Sequence, residues 1–427
     1  MTNPATNLFD ELQWRGMVYD ATEGLRDLLA TERVTAYIGF DPTASSLHVG
    51  SLLTVMGLAR LQRFGHSPIA IVGGGTGMIG DPSGKSQERQ LLSPEQIEAN
   101  VAGIREQLSR FLDFDASSNP ARLVNNADWL AAFDLLGFLR DTGKYFTVNY
   151  MLQKESVNRR LESEEGISYT EFSYLLLQAR DFLELFDRYQ CKLQMGGSDQ
   201  WGNITAGTDL IRRLRSTKAH GLVWPLMKTA SGAKFGKTEA GTVWLDAART
   251  SPFRFYQFWL NTDDRDVVSH LRFFTFLDRD AIAALEETAR TAPEKREAQR
   301  ALAREVTTLV HGPEQLTRAE HASSLLFGED IATLPVEDVL AVFEDVPSTE
   351  LPSSEIADGI GMVDLVARVQ LAASKSDARR LVQSGGVYVN NRRVSDPQAR
   401  LTRDQAIGGR LFVLRKGQKQ NHLVRLT

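Results

Sequence analysis

The sequence predicts an α/β fold built around a parallel sheet. Short apolar runs rich in β-branched residues alternate with longer segments whose apolar residues recur at helical spacing. The apolar runs end in stretches rich in Gly, Asp and Asn. Because parallel sheets bind ligands beyond the carboxyl ends of their strands, these stretches predict the functional site.

The first strand–turn–helix unit carries two candidate anion ligands. Short helices are expected at 8–14 and 25–30, and a strand at Val34–Phe40 ends in the turn Asp41-Pro42-Thr43. A periodic apolar helix follows as far as Gly65. Its start offers unpaired N–H groups and the positive end of the helix dipole, with Thr43 and His48 beside it. An ordinary α/β loop with a surface histidine fits the same pattern.

A glycine-rich stretch follows the second predicted strand, Ile69–Val72. Gly75-x-Gly77-x-x-Gly80 matches the dinucleotide fingerprint, but a polar turn stands where that fingerprint requires a helix. Residues 80–86 are one residue short of a P-loop. The remaining interpretation is a loop bearing Asp81, Lys85 and Arg89, which suits a phosphorylated ligand and also a plain surface loop.

The next elements bring polar residues onto one helix face. Ser93-Pro94-Glu95-Gln96 predicts a helix start, a third strand is expected at Arg122–Asn125, and 128–170 reads as an insertion. In the long helix that opens at Thr170, Tyr174, Gln178 and Asp181 stand at i, i+4 and i+7 and share a face. Apolar neighbours on both sides favour a pocket over solvent for these three.

The fourth predicted strand, Lys192–Met195, ends in Gly196–Asn203, which includes Asp199 and Gln200. Arg212 and Arg213 on the following helix indicate either a solvated face or a nucleic-acid contact. The stretch 228–238, with several lysines and little to bury, is expected to be a flexible basic loop.

Length, composition and charge limit the class of protein. The 427 residues predict two to four domains, and no apolar run approaches the ~18 residues of a membrane helix. The amino terminus lacks the features of a secretory signal, and the single cysteine, Cys191, is expected in the core, which fits a reducing cytoplasm. Residues 359–427 carry 13 Lys and Arg against 4 Asp and Glu, a net +9, whereas His321–Asp358 has nine acidic residues and no Lys or Arg. We therefore expect an acidic linker before a small basic domain that binds nucleic acid.

Several motifs, in order, resemble those of one enzyme family. His48-Val49-Gly50-Ser51 and Lys234-Phe235-Gly236-Lys237-Thr238 resemble the HIGH and KMSKS signatures of class I aminoacyl-tRNA synthetases. Four further stretches look like those of bacterial tyrosyl-tRNA synthetases: 80–85, 169–174, 178–181 and 197–203. Residues 364–394 resemble an S4 RNA-binding domain. The resemblance implies a Rossmann-like catalytic domain at 1–225, a signature loop and α-helical domain at 226–325, the linker at 326–358 and an S4-like α+β domain at 359–427.

The resemblance also implies a two-step reaction. L-Tyrosine attacks the α-phosphate of ATP, which enters with Mg²⁺, to give tyrosyl-adenylate and pyrophosphate; tRNA(Tyr) then takes the tyrosyl group at its 3′ end. Because both attacking groups belong to substrates, the protein positions them and stabilises charge. A cytoplasmic homodimer joined through the sheet domain is further implied, with no protein-bound metal and no membrane contact.

The resemblance assigns a role to individual residues. Tyr37 and Asp181 would flank the phenol of tyrosine, Asp81, Tyr174 and Gln178 its ammonium, and Gln200 its carboxylate. The phosphates would meet Thr43, His48, Lys85, Arg89, Lys234 and Lys237. The rest of the nucleotide would meet Gly39, Asp41, Gly50, Thr54, Gly197 and Asp199. The tRNA would contact Arg212, Arg213, Arg379, Arg380, Arg392, Arg393, Arg415 and Lys416.

The sequence departs from the family pattern at two positions. Ser51 stands where His or Asn is frequent, and Ile38 where many relatives place a Cys near the ATP ribose. Ile38 offers no hydrogen bond, so Asp199 and Thr54 would hold the ribose without that help.

Three other interpretations remain at this point. A tryptophan-specific synthetase is disfavoured by Tyr37 and Asp181, because an indole presents no phenol. An RNA-binding protein that kept the fold without the chemistry is disfavoured by the presence of His48, Lys234 and Lys237. A nicotinamide dehydrogenase rests only on the incomplete glycine fingerprint.

Overall fold

The computed structural model describes residues 7–83, 92–162, 164, 166–230, 232, 235–238, 241–326, 331, 336, 339–340, 343, 346–417 and 420–427, without the side chains of 237, 238, 325 and 326. The chain divides into two compact units, Met1–Thr250 with Phe258–Val310 and Ser251–Gln257 with His311–Thr427. The predicted α/β class is confirmed.

A six-stranded sheet lies at the centre of the first unit. Its order is β1 (Asp20–Ala21), β6 (His220–Trp224), β5 (Cys191–Gly197), β2 (Thr35–Phe40), β3 (Ser67–Val72) and β4 (Arg122–Asn125). All neighbours are parallel except β1 and β6. The chain runs outward from β2 to β4 and then returns to β5 on the other side of β2. Open α/β sheets bind their ligands at such a switch point.

Helices connect these strands and continue beyond them. Their bounds are α1 Leu8–Trp14, α2 Leu25–Thr31, α3 Val49–Arg63, α4 Pro94–Leu108, α5 Ala127–Leu130, α6 Leu135–Asp141, α7 Val148–Leu152, α8 Glu155–Leu161, α9 Tyr169–Tyr189, α10 Trp201–Arg215, α11 Pro252–Leu260, α12 Val267–Phe274, α13 Arg279–Thr291 and α14 Glu297–His311. A two-stranded hairpin, β7 (Lys237–Thr238) and β8 (Gly241–Thr242), lies between β6 and α11.

Local sequence explains the helices that matter for the site. The predicted capping box of α4 is present, since Ser93 accepts from the N–H of Gln96 and the Gln96 side chain bonds back to Ser93. Ser168 caps α9, whose apolar side packs into the core beside Tyr37. Cys191 is buried in the same core as predicted, and burial raises the pKa of its thiol.

The second unit contains a five-stranded sheet with the order β12 (Arg392–Val394), β11 (Val387–Val389), β14 (Leu411–Lys416), β15 (Gln420–Leu426) and β9 (Ser348–Leu351). It also contains α15 (Pro313–Leu326), α16 (Met362–Arg368), α17 (Lys375–Gln383) and the pair β10 (Ile360–Gly361) with β13 (Arg400–Leu401). Asn390 and Asn391 both have positive φ and form the two-residue turn of the hairpin between β11 and β12. Residues 348–351, within the expected acidic linker, form a strand of this sheet.

No helix in the described ranges is both long enough and apolar enough to cross a membrane.

Candidate active site

A cavity of about 570 Å³ opens where the carboxyl ends of β2 and β5 meet. Predicted tyrosine and nucleotide ligands from several elements lie together in its wall: Tyr37, Gly39, Asp41, Thr43, His48, Gly50, Thr54, Asp81, Tyr174, Gln178, Asp181, Gly197, Asp199 and Gln200. Ile38 and Ser51, the two departures from the family pattern, line it as well. Lys85, Arg89 and Lys234 fall outside the described residues, and only the backbone of Lys237 is described.

Tyr37 brings a buried hydroxyl into this wall. Its Oη has no hydrogen-bond partner among the described residues, and its ring meets that of Phe182 edge-on with centroids 5.2 Å apart. Burial, reinforced by the Asp181 carboxylate, raises the pKa of Tyr37 well above its usual value, so the hydroxyl keeps its proton. Leaving such a group unpaired costs about 1–3 kcal/mol, which a polar ligand would recover.

Asp181 is buried nearby and is already held by two donors. Its Oδ1 accepts from Trp129 Nε1 at 2.7 Å, and its Oδ2 accepts from Asn126 Nδ2 at 2.9 Å. Burial raises the pKa of Asp181 to about 7, although these two hydrogen bonds act in the opposite direction. The Asp181 carboxyl group therefore titrates near neutral pH.

A chain of hydrogen bonds joins Asp181 to the turn after β2. Asn126 Nδ2 also donates to Thr76 Oγ1 at 2.9 Å, and Thr76 Oγ1 donates to Asp41 Oδ1 at 3.1 Å. The hydroxyl of Tyr174 donates to Asp41 Oδ2 at 3.2 Å. The wall is thus braced by side chains from four separate segments, which fixes the positions of the polar groups before a ligand arrives.

A second network contains two of the predicted ammonium ligands, Asp81 and Gln178, together with Gln200. Gln200 Nε2 donates to Asp81 Oδ2 at 2.7 Å, and Gln178 Nε2 donates to Gln200 Oε1 at 3.2 Å. Asn203 Nδ2 donates to Gln178 Oε1 at 3.0 Å. Asp81 is only 6% exposed, so its carboxylate is a partly buried negative charge at the cavity wall, which suits a cationic ligand.

The start of α3 differs from the expectation of unpaired N–H groups. The N–H of Val49 donates to the carbonyl of Val243 at 3.0 Å, because the segment after β8 forms a β-bridge between Trp244 and His48. The His48 ring lies edge-on to the Trp244 ring, with centroids 6.0 Å apart. Gly50 makes room for this histidine, since a Cβ there would lie 2.8 Å from its ring. A phosphate at this position would therefore depend on the His48 and Thr43 side chains more than on the first helical N–H.

The stretch 228–238, which contains the KMSKS-like signature, was expected to have little to bury, and this expectation is wrong for Phe235. Phe235 is 5% exposed and packs against a cluster of rings: Phe258, Trp259, His270 and Phe274. Gly236 has φ +83°, and a Cβ there would lie 2.7 Å from Val49 Cγ2. The carboxyl end of the signature loop is therefore anchored against the start of α3, and glycine permits the close approach.

The predicted tRNA arginines of the first unit are exposed and paired locally. Arg212 Nη2 and Arg213 Nη2 both contact Asp209 on their own helix, at 2.7 and 3.3 Å. The backbone carbonyl of Tyr145 accepts from Arg213 Nη1 at 3.2 Å. These contacts are those of a solvated helix face, and they leave the prediction of an RNA contact untested.

The predicted cations of the second unit differ in what they contact. Arg393 donates to the backbone carbonyls of Gly385 and Ser384, at 2.9 and 3.1 Å, and so holds the hairpin to the end of α17. The Arg415 guanidinium lies over the Tyr388 ring, 4.0 Å from its centroid. Arg380 pairs with Asp377. The other predicted positions, Arg379, Arg392 and Lys416, lie on α17, β12 and β14.

Sequence reasoning missed the residues that support the site. Asn126 directly follows β4, and the rule that polar groups cluster at strand ends would have identified it. Thr76 and Asn203 lie in the stretches after β3 and β5, so the same rule covers them as well. Trp129 carries no comparable signal, because its contact with Asp181 depends on how α5 packs against α9. Gln194 on β5 also lines the cavity, and its buried Oε1 has no hydrogen-bond partner among the described residues.

Comparisons with known proteins agree along nearly the whole chain. The family described as tRNA synthetases class I (W and Y) matches residues 29–328, and the Tyrosine--tRNA ligase SYY-like C-terminal domain matches 338–424. The chain is 58% identical to the tyrosine–tRNA ligase of Roseiflexus castenholzii over 99% of this chain and 100% of that one. It is 53% identical to the tyrosine–tRNA ligase of Geobacillus kaustophilus, over 98% and 99%. A C-terminally truncated mitochondrial tyrosyl-tRNA synthetase of Aspergillus nidulans, 31% identical, superimposes with a TM-score of 0.69 over 76% of this chain and 95% of that one.

Proposed function

The chain belongs to the class I tRNA synthetases and, within them, to the tyrosine–tRNA ligases, and on that premise we propose how its residues divide the work. The enzyme activates L-tyrosine with ATP, forming tyrosyl-adenylate and pyrophosphate, and transfers the tyrosyl group to tRNA. Since the attacking groups belong to substrates, the protein contributes positioning and charge stabilisation.

Tyr37 and Asp181 recognise the phenol of the substrate. The observation that carries this assignment is the buried Tyr37 Oη, which lacks a partner among the described residues and lies in the cavity wall. Its hydroxyl donates to the phenol oxygen, and the phenol donates to Asp181, whose orientation is fixed by Trp129 and Asn126. Phenylalanine would leave the Tyr37 hydroxyl unpaired and would offer no donor to Asp181.

Asp81, Tyr174 and Gln178 bind the ammonium group, and Gln200 binds the carboxylate end. Support comes from the partly buried charge of Asp81 and from the hydrogen bonds that already bring Gln178 and Gln200 to it. The substrate ammonium would replace part of this network, because Gln200 Nε2 already donates a hydrogen bond to Asp81 Oδ2.

Thr43 and His48 meet the phosphates of ATP, and Lys85, Arg89, Lys234 and Lys237 add positive charge there. The nucleotide lies against Gly39, Asp41, Gly50, Thr54, Gly197 and Asp199, which share the cavity wall. Mg²⁺ enters with ATP as part of the substrate. Among the described residues, no three or more His, Cys, Asp or Glu are placed to hold a metal ion.

The basic residues 359–427 contact tRNA(Tyr), and two copies of the chain form a dimer through the insertion. The net +9 of residues 359–427 supports the first proposal. Exposed leucines and valine in α6 and α7 support the second, since Leu135, Leu136 and Val148 are 71%, 76% and 60% exposed in one chain. Because the tRNA product serves translation, the cytoplasm remains the expected location.

Amino-acid-dependent exchange of pyrophosphate into ATP tests the specificity directly. Tyrosine should support exchange, whereas tryptophan and phenylalanine should not at equal concentration. Exchange that depended on tryptophan would contradict the assignment of Tyr37 and Asp181 to a phenol.

A further inference from the structure

We infer that the inner face of α4, formed by Asn100, Gly103 and Gln107, positions the loop that carries Thr43 and His48. The inference rests on the proposed roles of those two residues. None of the three residues on α4 is part of the described cavity wall, so they act through the loop and are positioning residues.

The three residues stand at i, i+3 and i+7 and therefore share one face of α4. Asn100 Nδ2 donates to the carbonyl of Pro42 at 2.8 Å. Gln107 Oε1 accepts from the N–H of Leu47 at 2.8 Å. The helix thus holds the loop at both ends, one residue before Thr43 and one residue before His48.

Between these two hydrogen bonds, helix and loop meet backbone to backbone. A Cβ at Gly103 would fall inside van der Waals distance of the Ser45 carbonyl oxygen and 3.1 Å from its carbonyl carbon. Because backbone atoms cannot swing aside as a flexible side chain does, only glycine allows this approach. The distance between α4 and the loop is therefore set by the absence of a side chain.

Gln107 also reaches the segment that follows the second signature. Its Nε2 donates to Ser46 Oγ at 2.9 Å, and Ser46 Oγ accepts from the N–H of Asp246 at 3.2 Å. In the same place the N–H of Leu245 donates to the carbonyl of Leu47 at 2.9 Å. Gln107 and Ser46 are 7% and 4% exposed, so these bonds are sheltered from water.

That segment leads back to the anchored end of the signature loop. The N–H of Val243 donates to the carbonyl of Gly236 at 3.1 Å, and Val243 in turn accepts from Val49 at the start of α3. One buried glutamine therefore stabilises the alignment of the two signatures, both of which contact ATP in the proposed function. Loss of this alignment would misplace phosphate ligands and leave the tyrosine pocket unchanged.

The test compares Gln107→Met with Gln62→Met. Methionine keeps the length of the side chain but removes its hydrogen bonds. Gln62 makes a similar clamp on a loop away from the cavity, with Nε2 donating to the carbonyl of Asp113 at 2.6 Å and Oε1 accepting from its N–H at 2.9 Å. It therefore controls for the loss of a glutamine that holds a loop by two hydrogen bonds.

Pre-steady-state formation of tyrosyl-adenylate and equilibrium binding of tyrosine without ATP are measured on each variant. Gln107→Met should slow adenylate formation by about 10-fold or more, because displacement of about 1 Å costs up to ~10²-fold in rate. Its tyrosine affinity should stay within twofold of wild type. Gln107→Glu, which keeps an acceptor for Leu47, should recover part of the rate, whereas Gln62→Met should match wild type in both measurements.

Two results would overturn the inference: a normal rate in Gln107→Met, or an equal loss of rate in Gln62→Met. If Gln107→Met does not fold, the rate of adenylate formation is measured on Ser46→Ala instead, which removes the hydroxyl that links Gln107 to Asp246. A normal rate in Ser46→Ala would also overturn the inference. A wild-type enzyme without tyrosine-dependent exchange would instead refute the proposed function, so the two failures are distinguishable.

Discussion

Removal of the Tyr37 hydroxyl should change specificity without a cost in stability. Tyr37→Phe deletes a buried Oη that has no partner among the described residues, so no other group is left unpaired. The free energy of unfolding should stay constant or rise by up to about 1 kcal/mol, because a desolvated hydroxyl is removed. Towards tyrosine the variant loses one neutral hydrogen bond, worth about 0.5–1.5 kcal/mol, which corresponds to a fall of about 2- to 12-fold in kcat/KM.

Tyr174→Phe is the matched control, since it removes a tyrosine hydroxyl that does have a partner. That hydroxyl donates to Asp41 at 3.2 Å, so its loss should destabilise the fold by about 0.5–1.5 kcal/mol. Urea unfolding measures stability, and pyrophosphate exchange with tyrosine and phenylalanine measures the specificity ratio. Tyrosine-specific synthetases are themselves the standard example of rejection of an analogue that lacks a hydroxyl, so these variants test only the assignment of that role to Tyr37.

Either of two results for Tyr37→Phe would refute this reasoning. An unchanged ratio of tyrosine to phenylalanine kcat/KM would place the hydroxyl outside the recognition site. A loss of stability as large as that of Tyr174→Phe would mean that Oη has a partner in the free enzyme.

Three further predictions concern charge. Burial raises the pKa of Asp181 from 3.8 to about 7, so the protonated carboxyl contributes its full stability below pH 3.8, and this contribution is lost as the pH rises through 7. Asp181→Asn should therefore remove the decrease of the free energy of unfolding between these pH values, measured by urea unfolding. An unchanged pH dependence in the variant would contradict this prediction. Lys237→Ala should slow adenylate formation by roughly 10²-fold with unchanged tyrosine affinity, and the reverse pattern would assign it a different role. A chain that ends at Leu326 should form adenylate but charge tRNA poorly. The affinity of the full chain for tRNA should fall steeply as the salt concentration rises. Normal charging by the short chain would exclude the second unit as the RNA contact.

The sequence predicted the features that depend on local pattern. Strands β2 to β5 lie within two residues of their predicted positions, and the capping box of α4 is present as expected, whereas β1 and β6 were not predicted. The face shared by Tyr174, Gln178 and Asp181 does line the cavity, because i, i+4 and i+7 spacing and the buried setting of α9 leave no other direction. Such features depend on residues that are close together in the sequence, so they can be predicted from local sequence patterns.

The features that the sequence did not predict all require two distant segments. The Val49 N–H was expected to be unpaired, but Val243, almost two hundred residues later, accepts its hydrogen bond. Phe235 was expected on a loop with little to bury, yet its pocket is built by rings from α11 and α12. Asn126 and Trp129 hold Asp181 only because β4 ends next to α9 in space.

The two halves of the reaction site are stabilised in different ways. The proposed phenol site is made of side chains from the main core, where Tyr37 packs on Phe182 and Asp181 is held by buried donors. The proposed phosphate site is a loop whose backbone is held from behind by α4 and by the segment at 243–246. Substitutions in the core should therefore change which amino acid is bound. Substitutions behind the loop should change the rate of adenylate formation alone, because they move phosphate ligands without touching the pocket that selects tyrosine.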